Sequence, residues 1–213
     1  LHVNPTRMEL TRLKKRLVTA RRGHKLLKDK RDELMRQFLE LVRGNKALRR
    51  KVEEAILAAH RHFVVARSLM QRQGISAELM IPKQELRLTV GKRNVMSVDI
   101  PVYTAKFKSP DANDIYPYGY AFTSGDLDGA IEQLSAIQGD LLRLAECEKS
   151  AQLMAAEIEK TRRRVNALEH ILIPQLEGTI RHITMKLEEN ELGNITRLMK
   201  VKDMMLEKAH GYK

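Results

Sequence analysis

The sequence has no tryptophan, a single cysteine, and aromatic residues at only 4%. One thiol, Cys147, excludes an internal disulfide and fits a reducing compartment. A globular core of this size leans on large aromatic side chains, whereas a helical seam filled by Leu, Ala, Ile, Val and Met needs none. Proline is confined as well: Pro5 is followed by none until Pro82, and after Pro117 only Pro174 remains. No apolar run approaches the ~20 residues of a membrane span, and no signal peptide is visible. There is no glycine-rich phosphate loop, no zinc-like Cys/His spacing and no acid pair in a pocket-forming context. We therefore expect no catalytic residue, no cofactor and no metal site. His60 and His62 are two apart on a helix and point to different faces, a poor metal pair. His24, His170, His182 and His210 are isolated in sequence and read as seam or surface histidines.

What is present is a long heptad pattern. Between Asn4 and about Gln73 the apolar residues recur at alternating steps of three and four. They run Leu10, Leu13, Leu17, Ala20, Leu27, Leu34, Phe38, Leu41, Leu48, Val52, Ala55, Ala59, Ala66 and Leu69. That pattern exceeds the three or four repeats that argue a coiled coil, and a helix of this length would be roughly 100 Å long. Asn4 and Pro5 read as a helix start and Gly74 as its stop. His24, Arg31, Asn45 and His62 interrupt the seam, and polar residues at such sites specify register.

Residues 75–122 change character. The heptads stop, four prolines appear, and four of the five tyrosines fall here. Leu86, Leu88 and Val90 alternate with polar residues, as do Met96, Val98, Ile100 and Val102. Two period-2 runs around Gly91-Lys92-Arg93-Asn94 predict a β-hairpin with its turn at those four residues. Pro101 belongs at a strand edge or end. Residues 108–119 read as a loop.

A second helix is expected over 124–206, opened by Asp126 and Asp128, whose charge suits a helix N-terminus. Its seam runs through Leu134, Ile137, Leu141, Leu144, Ala151, Met154, Ile158, Val165, Leu168 and Leu172. It continues through Leu176, Ile180, Ile183, Leu187, Leu198, Val201 and Met205. Around Pro174 the steps become four, four, four, a local re-phasing, and the proline should bend the helix. The expected fold is mainly α: a long antiparallel two-helix coiled coil with a small β-hairpin domain at the turn. Its segments are 4–73, 75–122, 124–206 and a tail at 207–213.

Charge is distributed unevenly. Residues 1–51 hold 17 Lys and Arg against 5 Asp and Glu; the rest of the chain holds 22 of each. The basic end calls for an acidic partner surface. Nucleic acid is one reading, but no DNA-binding motif or aromatic interleaving supports it. The acidic run Glu188, Glu189 and Glu191 reads as a solvated face or a patch pairing with the basic opening of the first helix.

Particular residues then point to a family. Asn4-Pro5-Thr6-Arg7-Met8 is followed by Arg22-Gly23-His24-Lys25-Leu26-Leu27-Lys28-Asp29-Lys30-Arg31-Asp32-Glu33-Leu34. Near the other end comes Thr161-Arg162-Arg163-Arg164-Val165-Asn166-Ala167-Leu168-Glu169-His170-Ile171-Leu172-Ile173-Pro174. In order and spacing these blocks resemble the D subunit of the V-type (A/V-type) rotary ATPases, the central-stalk rotor axle. The resemblance covers nearly the whole chain; in the middle it is architectural. It implies a non-catalytic shaft that transmits torque between ATP hydrolysis or synthesis and ion translocation. The ion is hydrogen or sodium. Implied partners are the A/B catalytic head around the paired helix ends, the F subunit of the central stalk on the shaft, and a socket (the C or d subunit) of the membrane ring. It also implies a peripheral place on the cytoplasmic side, with the membrane touched only indirectly and no nucleic acid bound. Within that frame, Arg7, Arg12, Lys14, Lys15, Arg16, Arg162, Arg163 and Arg164 are candidates for contact with acidic loops of the head. Leu86, Leu88, Val90, Met96, Val98 and Ile100 are candidates for socket contact or regulation through the hairpin. The alternative from another class is a basic coiled-coil scaffold or nucleic-acid-binding protein.

Overall fold

The computed structural model describes residues 3–70, 75–76, 78–109, 111–119 and 123–210. Its elements are α1 (Arg7–Leu69), β1 (Leu86–Val95), β2 (Val98–Phe107), a 3₁₀ turn (Ala112–Ile115), α2 (Gly125–Ala167), a π-turn (Leu168–Leu172) and α3 (Ile173–His210). Long helices joined through a small antiparallel hairpin make this the expected fold class. Gly74 and Pro110, to which the sequence assigns a stop and a loop position, lie outside the described residues, as does the end of the 207–213 tail.

The start of α1 differs from expectation. Thr6, not Asn4, is the cap: its Oγ1 accepts the Glu9 N–H at 3.3 Å and its carbonyl accepts the Leu10 N–H at 3.0 Å. Thr6 and Glu9 stand three apart, the spacing of a capping box. The start of α2 is as read, with Ser124 Oγ accepting the Asp126 N–H at 3.3 Å.

The chain forms two compact units. The first comprises Leu1–Asp32 and Glu159–Lys213. Here Leu13, Ala20, Leu176 and Ile183 are buried together, flanked by Leu10, Leu17, Leu172, Ile180 and Leu187. Burying each Leu or Ile contributes roughly 1.5–3 kcal/mol. Arg7 pairs with Glu191 and Arg21 with Glu177, so the two helical segments run antiparallel. His24 meets Glu169 at 3.3 Å. From Glu188 to Lys208 every side chain is exposed. Among the described residues, the seam read through Leu198, Val201 and Met205 is therefore not closed. The cause is length: α1 begins at Arg7, which is already opposite Glu191.

The second unit is Glu33–Ile158. Its largest cluster joins Leu34, Met154 and Ile158 to Val98 and Ile100 of the hairpin, with Phe38, Leu41, Val95, Met96 and Leu153 around it. A second cluster joins Ala66, Leu127 and Tyr118, with Phe63, Met70, Tyr116 and Ile131. The Tyr118 hydroxyl donates to Asp128 at 2.6 Å, satisfying a polar group that burial would otherwise strand. His62, a polar seam position, stands over Gly129, where a Cβ would come 3.5 Å from its ring nitrogen. All four polar interruptions of the first seam are half-buried, as seam positions should be.

The hairpin turns later than expected. Gly91–Asn94 lies within β1, and the two-residue turn is Met96-Ser97, both at positive φ (51° and 70°). Positive φ at both central residues is the twist-matched hairpin geometry. Asn94 braces it, donating to Asp99 at 2.6 Å and accepting the Ser97 N–H at 3.1 Å. Pro101 sits inside β2 opposite Lys92, in a two-stranded sheet where each strand is an edge. Counting from the turn, that is a non-hydrogen-bonded pair, so the missing N–H faces away from the partner strand. Two residues on, the Tyr103 N–H, pointing the same way, is taken by Glu146 of α2 at 3.3 Å.

Candidate functional site

These elements form no enclosed reaction centre among the described residues. Among the described residues, no group of three or more His, Cys, Asp or Glu side chains is placed to hold a metal ion. The thiol of Cys147 is half-buried, and burial first, then the charge of Glu146, pushes its pKa up. What the fold offers instead is surface, in four kinds.

The first surface is basic. Arg7, Arg12, Lys14, Lys15 and Arg16 are exposed on the opening turns of α1, and Arg162, Arg163 and Arg164 are exposed on the last turns of α2. They are not equivalent. Arg7 is engaged by Glu191, Arg12 by Glu9 at 3.2 Å and Arg163 by Glu159. The Arg7 pair answers one reading of the acidic run: Glu191 does reach the basic opening of α1. Glu189 instead pairs with Lys186 at 2.7 Å, whose hydrogen bond holds that carboxyl below its ordinary pKa.

The second surface is apolar and belongs to α3. Leu192, Ile195, Leu198, Met199, Val201 and Met205 are all 42–68% exposed, on a helix whose preceding turns bury Leu176 and Ile183 completely. Sequence periodicity alone could not reveal this surface, since exposed and paired heptads look the same.

The third surface is the hairpin, and it divides the six hairpin candidates. Val98 and Ile100 are buried in the helix-facing core, and Met96 packs against it. Leu88 and Val90 are 44% and 59% exposed, and Leu86 is half-buried. Cross-strand register puts these last three on the other face, with Phe107, Ala105 and Tyr103. Phe107, 52% exposed, completes an apolar stripe that the sequence reading missed because the alternation it followed stopped at Val102.

The fourth lies on the long helices of the second unit. Ile56, Ala59, His60, Phe63 and Leu134 line a shallow groove, and Leu57 and Val64 are exposed on the same stretch of α1. Nearby on the same unit, Lys51 pairs with Asp140 at 2.7 Å, and that hydrogen bond holds the Asp140 carboxyl below its ordinary pKa.

Long paired helices carrying exposed basic and apolar surfaces define the coiled-coil class of this chain. Comparison with known proteins identifies its family. The sequence model of the ATP synthase D-subunit family matches residues 9–203. The V-type ATP synthase D subunit of Acetivibrio thermocellus is 64% identical over 213 residues, covering 100% of this chain and 96% of the relative. The protein of the same name from Clostridioides difficile strain 630 is 60% identical over 209 residues, covering 98% and 94%. That from Clostridium novyi is 61% identical over 208 residues, covering 96% and 95%. The chain belongs to the D-subunit family of ATP synthases, whose members are central-stalk components of the V-type rotary ATPase and are not catalytic. Family membership leaves the scaffold or nucleic-acid alternative without support. No helix among the described residues is long and apolar enough to cross a membrane.

Proposed function

We propose that this chain is the torque-carrying axle of its complex, with each exposed surface committed to a different partner. The first unit enters the A/B catalytic head. The observation that carries this reading is the run from Glu188 to Lys208, helical and exposed at every residue, beyond the end of the paired seam. A helix that shows this much apolar surface needs a sleeve. The exposed basic residues Arg7, Arg12, Lys14, Lys15, Arg16, Arg162, Arg163 and Arg164 face acidic loops of that sleeve. The F subunit binds the second unit along Leu57, Val64 and Leu134. The hairpin presents Leu88, Val90 and Phe107 to the membrane-ring socket or to a regulatory contact, while Val98 and Ile100 anchor it to the helices. The chain sits on the cytoplasmic side and meets the membrane only through the socket.

The test is reconstitution of the purified complex with a chain ending at residue 190. Binding to the A/B head should be lost, and F binding kept. A truncated chain that still assembled with the head and supported ATP-driven rotation at the normal rate would overturn the reading. Neutralising Arg12, Lys14, Lys15 and Arg16 together should weaken assembly and flatten its salt dependence. If affinity and salt slope stayed unchanged, the electrostatic part would be wrong even with the insertion correct.

A further inference from the structure

The π-turn at Leu168–Leu172 has a numerical relation to the seam. In the first unit the second helical strand places Thr161, Val165, Leu168, Leu172, Leu176, Ile180, Ile183 and Leu187 toward α1, at steps of four, three, four, four, four, three and four. From Val165 to Ile180 is fifteen residues, one more than two heptads. Facing it, α1 keeps strict steps of three and four through Leu10, Leu13, Leu17, Ala20, His24 and Leu27. The second strand therefore carries one residue in excess of its partner's count.

In an unbroken α-helix, one extra residue rotates everything after it by about 100°. Leu176 and Ile183 would then leave the seam. They do not: Thr161 and Val165 before the turn, and Leu176 and Ile183 after it, are all 0–2% exposed. Beyond the turn the register is plain, since fourteen residues separate Arg7 from Arg21 on one helix and Glu177 from Glu191 on the other. A coiled coil can spread such an excess over many residues by unwinding. Here it is taken up locally, where the Ile173 N–H bonds the Leu168 carbonyl five residues back. A π-turn is the form in which a helix holds one inserted residue. Pro174 stands directly after it. Proline cannot donate to the carbonyl four residues earlier, that of His170, and its ring presses on it. The widened turn falls where that carbonyl must give way.

We infer that the π-turn and Pro174 form a register joint, which absorbs one surplus residue so that the seam closes on both sides. By keeping Leu176, Ile180, Ile183 and Leu187 in the seam, the joint also sets the rotational phase with which the helix continues into the exposed run from Glu188 to Lys208.

The experiment is a deletion series in the full-length chain, read by thermal unfolding and by amide exchange. Deleting His170 together with Pro174→Ala removes both the surplus and the proline. Tm should stay level or rise, and exchange at 168–174 should slow, as a continuous α-helix replaces the π-turn. Deleting Arg181, an exposed residue in a plain heptad stretch, turns Ile183 and Leu187 out of the seam. Tm should then fall on the order of 10 °C. An alanine inserted after His170 should fall similarly, because the joint holds only one extra residue. If the His170 deletion with Pro174→Ala costs as much as the Arg181 deletion, the register joint is refuted. Pro174→Ala alone guards against misreading: it should keep the π-turn's fast exchange, and slowed exchange in that variant would assign the turn to proline and not to the count.

Discussion

The two units use one heptad grammar to different ends. In the first, Leu13 and Ala20 lie with Leu176 and Ile183, and the buried residues of the core all come from the pair of helices. In the second, Leu34 faces Met154 and Ile158, and the hairpin's Val98 and Ile100 lie over them as a further layer. The difference teaches that a two-stranded seam leaves its flanks open. A small sheet seals one flank in the second unit, and in the first the flanks of the paired helices stay open.

That comparison can be broken most directly by truncating one buried leucine in each unit. Leu34→Ala and Leu176→Ala should each lose about 2–5 kcal/mol in chemical denaturation. Their signatures should differ. Amide exchange of Val98 and Ile100 should accelerate in Leu34→Ala only, because only that leucine touches the hairpin. Next in size is Thr6→Ala, which removes the α1 cap and should cost about 0.5–2 kcal/mol, with fraying confined to the first turn by exchange. Smaller again is Ser97→Gly. Ser97 is exposed at positive φ, so the change should stabilise the hairpin by about 0.4–1 kcal/mol, visible as slower exchange in β1 and β2 with the first unit unchanged.

The smallest effect concerns the Lys51–Asp140 pair. Its hydrogen bond depresses the folded-state pKa of Asp140, so its contribution is present above the ordinary aspartate range and fades as pH falls through the depressed value. Lys51 is largely exposed, which keeps the contribution small. A Lys51→Met chain should melt slightly below the parent at pH 7, and the gap should close in acid. A gap that stayed constant down to pH 2 would assign the loss to packing.

Much of this was legible in the residues. The seam from Leu10 to Ala66 needed only its spacing, since burial of every third or fourth side chain dictates that spacing. The hairpin was legible as two period-2 runs, but not its turn. Gly91 and Asn94 look like turn residues, yet Gly91 is tolerated in β1, the outer strand, and Asn94 works one step away, as a brace for Met96-Ser97. No propensity selects methionine at φ 51°. The Thr6 cap was readable from Glu9 three residues on, and Asn4-Pro5 drew attention from it. The end of the closed seam was not readable, because periodicity records which face is apolar and not where the partner stops. Pro174 and the four-four-four steps announced a re-phasing, while the form it takes depends on α1 holding its own count unbroken.

The position of Cys147 has a practical consequence for anyone handling the molecule. With its pKa raised, the thiol stays protonated at neutral pH, and alkylating reagents act on the thiolate. The native sulfur is therefore a slow competitor. A fluorophore or bead attached through Lys92→Cys, on the open strand of the hairpin, should label far faster than Cys147. Mass spectrometry of the labelled chain over time checks the order of the two sites.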